Sequence, residues 1–188
     1  MYPLFLLLLH LNFGPGNFTS IQDDNASDTL IWQPETKLHW DDFLAEAPSR
    51  NSFAAFTYTL INMEYSATIT EGKVIPSFKI YAAFNRRRSW VKNQKEARTP
   101  EILAHEQAHF DISEITARRL RKALLTETYS RKSLEQKINS IYQVTVQAGD
   151  EMQALYDQES DHGLNKAQQL KWSNRVKNEL SELANYAR

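Results

Sequence analysis

Apolar and polar residues alternate from Phe78 to Phe84: Phe78, Ile80, Ala82 and Phe84 fall on one side, Lys79, Tyr81 and Ala83 on the other. A period of two predicts a half-buried β-strand. Phe56-Thr57-Tyr58-Thr59-Leu60 alternates in the same way, and Tyr65 to Thr70 is rich in β-branched residues, so both segments read as strands. Glu71-Gly72 is a turn signal before the third. The pattern predicts a small antiparallel sheet of about three strands. Upstream, Leu38 to Pro48 (LHWDDFLAEAP) mixes Trp40, Phe43 and Leu44 with acids and reads as a short helical turn anchored by aromatics.

After Thr99 the period changes to that of helices. Thr99-Pro100-Glu101 is a strong helix start, with a capping hydroxyl, a proline at the first helical position and an acid at the positive end of the dipole. One helix is predicted from Pro100 to about Thr126. A second carries Leu134, Ile138, Ile141, Thr145, Ala148, Met152 and Leu155 at three-four spacing, ends near Asp157 and is stopped by Gly163. A third carries Ala167, Leu170, Val176, Leu180 and Leu183. The predicted class is α+β: a small antiparallel β-sheet followed by three main helices.

Two segments stand outside this pattern. Tyr2 to Leu11 is apolar apart from His10 and too short to span a bilayer as a helix. It matches the apolar part of a signal peptide, although no Lys or Arg precedes it. Residues 1–20 are therefore read as a signal peptide, with export to the periplasm or medium expected and no stable membrane insertion after its removal. Residues 21–30 are read as a flexible lead-in, ending a stretch rich in Gly, Asn, Ser and Asp. Residues 31–188 are read as one domain.

The formal net charge of −1 argues against a nucleic-acid partner, which calls for a basic excess on one face. The basic run Arg86-Arg87-Arg88 reads as a solvated strand end or turn. The absence of cysteine excludes disulfides, thiolate nucleophiles and cysteine-held zinc, so any metal must be held by His, Asp or Glu.

HEQAH, His105 to His109, lies one turn inside the capped helix. His105 and His109 are at i and i+4, so their rings leave the same face and can share one zinc ion. Glu106 is then beside the metal, where it can act as general base toward a zinc-activated water. Ile102, Ile112 and Thr116 continue the same stripe and turn it toward the core. A catalytic zinc usually has three protein ligands and one open position. The stretch YDQESDHG, Tyr156 to Gly163, ends the second helix and can fold back onto the first. His162 is the expected third ligand. Asp157 and Glu159 are the alternatives, either as ligands or as partners that orient a ligating imidazole. Asp111 lies about 200° round the helix from His109 and is expected to pair with the Arg118-Arg119 region instead. Tyr156 and Tyr81 could each offer a hydroxyl to an oxyanion, but such tyrosines are commonly packing residues.

The blocks HEQAHFDI, YDQESDHG and QLKW (Gln169 to Trp172), with WDDF and SWV upstream, resemble the bacterial family catalogued as domain of unknown function 922, from about Trp32 to the C-terminus. Its members are described as secreted zinc-dependent proteases. The resemblance implies a zincin-like HExxH helix and points to His105, Glu106, His109 and His162. Ala108 stands where the family pattern has Gly, and Ser160 where it has Thr; neither is a proposed ligand.

The expected function is thus that of an exported zinc metallopeptidase acting on a peptide or protein substrate, with Zn2+ as cofactor. The alternatives are a metal-binding but non-catalytic envelope or interaction module, and a helical interaction protein without metal. Glu106 separates the first two, because a binding module has no need of an acid at that place. The strand Phe78 to Phe84 is expected to flank the cleft and offer its backbone edge to an extended peptide.

Overall fold

The computed structural model describes residues 28–50, 52–71 and 73–187. The segment read as a signal peptide and the lead-in up to residue 27 lie outside them. Residues 28–30, read as the end of that lead-in, belong to the fold: Asp28 is buried and Thr29–Ile31 form the first strand, β1. The other strands are β2 (Ala55–Phe56), β3 (Thr59–Thr70), β4 (Lys73–Asn85) and β5 (Trp90–Val91). The helices are α1 (Pro100–Thr126), α2 (Leu134–Ser160) and α3 (Lys166–Glu182). The class is α+β, with a small antiparallel sheet and three helices. Among the described residues no helix is long and apolar enough to cross a membrane.

The three-stranded sheet has the order β1-β4-β3. β3 and β4 pair along their whole lengths, from Thr59↔Phe84 to Thr70↔Lys73. The hairpin turns after the Thr70↔Lys73 pair, with Glu71 at φ 51°, a left-handed value suited to tight hairpin loops. The two strands expected at Phe56–Leu60 and Tyr65–Thr70 are redistributed. Thr59–Thr70 is one continuous strand, because β4 supplies a partner for every residue between the two apolar segments. Phe56 belongs instead to the separate β2–β5 pair. The expectation that Phe78–Phe84 offers a free edge is overturned: β4 is the central strand, with β1 bonded on one side and β3 on the other. Its alternation is nevertheless realised. Ile80, Ala82 and Phe84 are buried against α1.

The turn at Leu38–Pro48 contains one 3-10 turn, Trp40–Asp42. Phe43 from this segment packs edge-on against Phe84, with ring centroids 5.2 Å apart. The arginine run is a turn after β4. Arg87 donates to Asp28, and Arg88 lies over the Tyr58 ring and donates to its hydroxyl at 2.6 Å.

α1 is the centre of the fold. Thr99 caps it, its hydroxyl accepting from the Ile102 amide at 3.3 Å, and Pro100 opens it. Phe110, Ala117, Leu120 and Leu124 face the sheet in one apolar cluster. Ala108, Ile112 and Ile115 face Met152 and Tyr156 of α2 and Trp172 and Val176 of α3 in a second. A helix buried on two sides has little room for unpaired charge, and three of the buried charged residues of α1, Glu114, Arg118 and Arg121, form one cluster. The Glu114 carboxylate accepts from Arg118 Nε at 2.9 Å and from Arg121 Nη1 at 3.1 Å. Arg121 also donates to the Ile80 carbonyl of β4, and Arg118 to the Leu180 carbonyl of α3. The sequence-based pairing of Asp111 with the Arg118-Arg119 region does not form. Glu114, one turn from Arg118, takes that place, while Asp111 accepts from Trp32 Nε1 at 2.7 Å and Gln107 Nε2 at 3.0 Å.

α1 and α2 run antiparallel and come closest at Gly149. A Cβ there would lie 2.5 Å from Thr116 Oγ1 and 2.7 Å from Thr116 Cγ2. Thr116 is buried and its hydroxyl is bonded to the Ile112 carbonyl at 3.1 Å. Both γ atoms stand in the way, so rotating the side chain gives no escape.

Two outcomes follow for stability. Glu114→Ala leaves two buried guanidinium groups without their carboxylate and is expected to cost about 3–5 kcal/mol, read by denaturant unfolding. Gly149→Ala is expected to lower the midpoint of thermal unfolding, although alanine favours helix by about 1 kcal/mol over glycine, because the methyl forces α1 and α2 apart. An unchanged or raised midpoint would show that the contact yields freely.

Candidate metal centre

The antiparallel register set at Thr116 and Gly149 brings the C-terminal turns of α2 beside the N-terminal half of α1. His105 Nε2 and His109 Nε2 lie 3.0 Å apart. Asp157 Oδ1 is 3.1 Å from each of them. Three donor atoms thus form a nearly equilateral triangle. Protons alone serve such a triangle poorly, since an N–H directed at one corner points away from the other. A single cation serves all three at once.

His162 completes the cluster from the loop after α2. Its Nδ1 is 3.2 Å from Asp157 Oδ1. His105, Asp157 and His162 each offer a ligand atom within 4.8 Å of the others. Two overlapping triplets therefore share His105 and Asp157. The one containing His109 has the shorter and more regular edges. Ligand atoms of a tetrahedral zinc are about 3.3 Å apart, and two imidazoles with a carboxylate are a common zinc donor set, so the residues present fit that ion.

The backbone of the 161–163 loop is specialised for this placement. Asp161 (φ 49°) and His162 (φ 50°) are both left-handed, a conformation costing L-residues about 1–2 kcal/mol, and Gly163 follows at φ 86°. A Cβ on Gly163 would lie 3.0 Å from His105 Cβ and 3.2 Å from its Cγ. Glycine is thus required twice over, by its dihedral angle and by the imidazole against it.

The groups of the triangle shift one another's protonation. Burial pulls the His109 pKa down, but the hydrogen bond to Asp157 and the charges of Glu106 and Asp157 outweigh it and leave the pKa raised. For Asp157, burial acts upward, and the hydrogen bonds and charges of the two histidines reverse this and hold its carboxyl well below the usual range. Tyr156 stacks on His105 with ring centroids 4.6 Å apart, and burial raises its hydroxyl pKa far above the ordinary phenol value. That hydroxyl is within hydrogen-bond reach of both polar atoms of Gln169, which supports the packing role for Tyr156 over an oxyanion role.

Glu106 is buried, and no described residue hydrogen-bonds its carboxylate. Glu159 does not join the cluster. It is exposed, and its carboxylate accepts from Trp172 Nε1 at 2.7 Å, a bond between the end of α2 and α3. Tyr81 stands on β4 opposite Asn62. Two further residues meet the histidines: Gln153, which the sequence did not single out, 2.6 Å from His109 Nδ1, and Gln169, named only as part of the QLKW block, 3.3 Å from His105 Nδ1. A signal for Gln153 did exist. It lies four residues before Asp157 on α2, the same spacing as His105 and His109 on the facing helix.

The small α+β fold thus presents two histidines of its central helix to an aspartate of the next helix, a group that could hold a metal ion. The chain belongs to a bacterial family of unknown function, DUF922, whose pattern matches residues 38–163. That span holds all four cluster residues and ends before α3, short of the C-terminus that the sequence blocks suggest. No curated protein and no solved structure matches the chain.

The geometry ranks the ligands. His105→Ala or His109→Ala is expected to abolish tight zinc binding. Asp157→Ala is expected to weaken it by more than the roughly 10–100-fold typical of an outer partner, and His162→Ala by no more than that. Competition titration against a chromophoric chelator measures each value. The reverse order for Asp157 and His162 would make the exposed histidine the third ligand.

Proposed function

We propose that this chain is an exported zinc-dependent metallopeptidase that hydrolyses peptide bonds, its zinc held by His105, His109 and Asp157 with His162 at the rim. The observation that carries this reading is Glu106. The other buried acidic residues, Asp28 and Glu114, are each paired with arginine, whereas Glu106 sits next to a candidate ligand and forms no ion pair among the described residues. An acid beside a metal-binding histidine, with no basic side chain to neutralise it, is placed for proton transfer.

Zinc, when bound, supplies a lowered pKa for its water and polarises a substrate carbonyl. Glu106 contributes the proton traffic, accepting one proton as base and delivering it to the departing amine. Its negative charge reaches both His109 and Tyr156, raising the pKa of each, which places it electrically beside the triangle. His162 is the most exposed of the four cluster residues, 42% by side chain against 33% for Asp157, 14% for His109 and 3% for His105. It is therefore the one positioned to meet a substrate. Export rests on the apolar N-terminal segment alone.

A second reading, a metal-holding module without catalysis, is favoured by one observation: beside the His105–His109–Asp157 triangle, His162 offers a further donor near His105 and Asp157, and sites closed by protein donors are structural as a rule. Glu106 separates the two. In the Glu106→Gln variant zinc content and thermal stability should persist, while cleavage of a quenched-fluorescence peptide library falls about 10²–10⁴-fold. Equal cleavage by both proteins removes Glu106 as the base. Zinc-loaded wild type that cleaves nothing in the library leaves the non-catalytic module as the better account.

A further inference from the structure

We infer that Gln153 and Gln169 are positioning residues that fix both zinc-facing imidazoles in one tautomer, and that α3, beyond the family match, is thereby part of the metal centre. The inference rests on the metal reading above.

A histidine that binds metal through Nε2 must carry its proton on Nδ1, and something must accept that proton. Carboxylates and backbone carbonyls are the usual acceptors. Here both are neutral side-chain amides. Gln153 Oε1 is 2.6 Å from His109 Nδ1. The orientation of this amide is dictated by its other half, for Nε2 donates to the His109 carbonyl at 2.9 Å and to Ser113 Oγ at 3.1 Å. With the nitrogen so engaged, the oxygen faces the ring and Nδ1 must donate. The Ser113 hydroxyl is 2.7 Å from Thr59 Oγ1, so the chain of bonds extends to the start of β3.

Gln169 meets His105 from α3. Its Oε1 is 3.3 Å from His105 Nδ1 and 2.8 Å from the Tyr156 hydroxyl, and its Nε2 is 2.6 Å from that same hydroxyl. That hydroxyl reaches the His105 carbonyl at 3.4 Å. Each glutamine thus grips one histidine at both ends, ring and backbone, the second through Tyr156. In both cases the metal-side atom left free of a proton is Nε2, the atom that faces Asp157. A neutral acceptor holds the tautomer without adding negative charge to a site already containing Asp157 and Glu106.

The test uses the full chain and zinc or cobalt(II) as probe. Gln153→Leu and Gln169→Leu keep roughly the side-chain volume and remove the acceptor. Each should weaken zinc binding about 10–100-fold in chelator competition and alter the visible absorption of the cobalt-loaded protein. Gln169→Glu retains an oxygen toward His105 Nδ1 and should restore binding to within a few-fold of wild type. The metal-free Leu variants should unfold at midpoints close to that of the metal-free parent. Leu variants that bind zinc as the parent does overturn the inference, as does a Glu variant as weak as its Leu counterpart, since the effect would then be packing. Should Gln153→Leu fail to fold, the Gln169 pair decides alone. A parent chain that takes up no zinc overturns the metal reading itself, an outcome distinct from parent binding with indifferent variants.

Discussion

The contact on which the rest of the structure depends is the approach of α1 and α2 at Thr116 and Gly149. Antiparallel helices can slide by a turn at modest cost when their interface is made of long, adaptable side chains. A glycine pressed against a buried, β-branched threonine removes that freedom. Once Gly149 is opposite Thr116, the next turns of α2 meet the preceding turns of α1 in fixed order: Gln153 opposite His109 and Ser113, Asp157 opposite His105 and His109. The triangle of donor atoms follows from a helix register, and the register follows from the absence of one methyl group.

The opposite side of α1 is fixed by charge. Glu114, Arg118 and Arg121 tie the helix to the Ile80 carbonyl in the sheet and the Leu180 carbonyl in α3. Burying three charges gives little net stability compared with an apolar core, but each bond has one geometry, and together they fix the rotation of α1 about its axis. Rotation and register are the two quantities that place His105 and His109. The candidate centre therefore inherits its precision from residues that have no metal-binding chemistry of their own.

The same division explains what could be read from the sequence. Helix α1 was legible to its ends because its signals are local: a capping threonine, a proline at the first position, and histidines four apart on one stripe. The periodicity of α2 and α3 was legible for the same reason. The sheet was legible as strands and not as an order. β1 is three residues long, within a stretch whose Gly, Asn, Ser and Asp content reads as linker, so nothing local announced that Phe78–Phe84 would have neighbours on both sides. Asp111 went astray because helical spacing allows several partners for Arg118, and Glu114 at one turn is the nearer. At the site, the residue types were readable, and both His162 and its alternative Asp157 fall in one group with His105. Whether Asp157 or His162 meets both histidines depends on which way the chain turns after Ser160. Two non-glycine residues in left-handed conformation decide that, and sequence alone does not signal them.

That turn also governs what the centre can do. Had α2 ended one residue earlier with an ordinary cap, the side chain after it would have pointed away from α1. Instead the left-handed run at Asp161, His162 and Gly163 folds the chain back, lays Gly163 against His105, and sets the His162 ring 4.3 Å from that of Phe53. Three donors come from rigid helices and the fourth from a strained, half-exposed loop. Donors on helices hold their distance when a ligand arrives, whereas a loop donor can move away at the cost of a few backbone angles. The asymmetry divides three helix-borne side chains of the cluster from one carried by the loop. Phe53, against the same ring and 40% exposed, sets an apolar face beside the exposed end of the cluster.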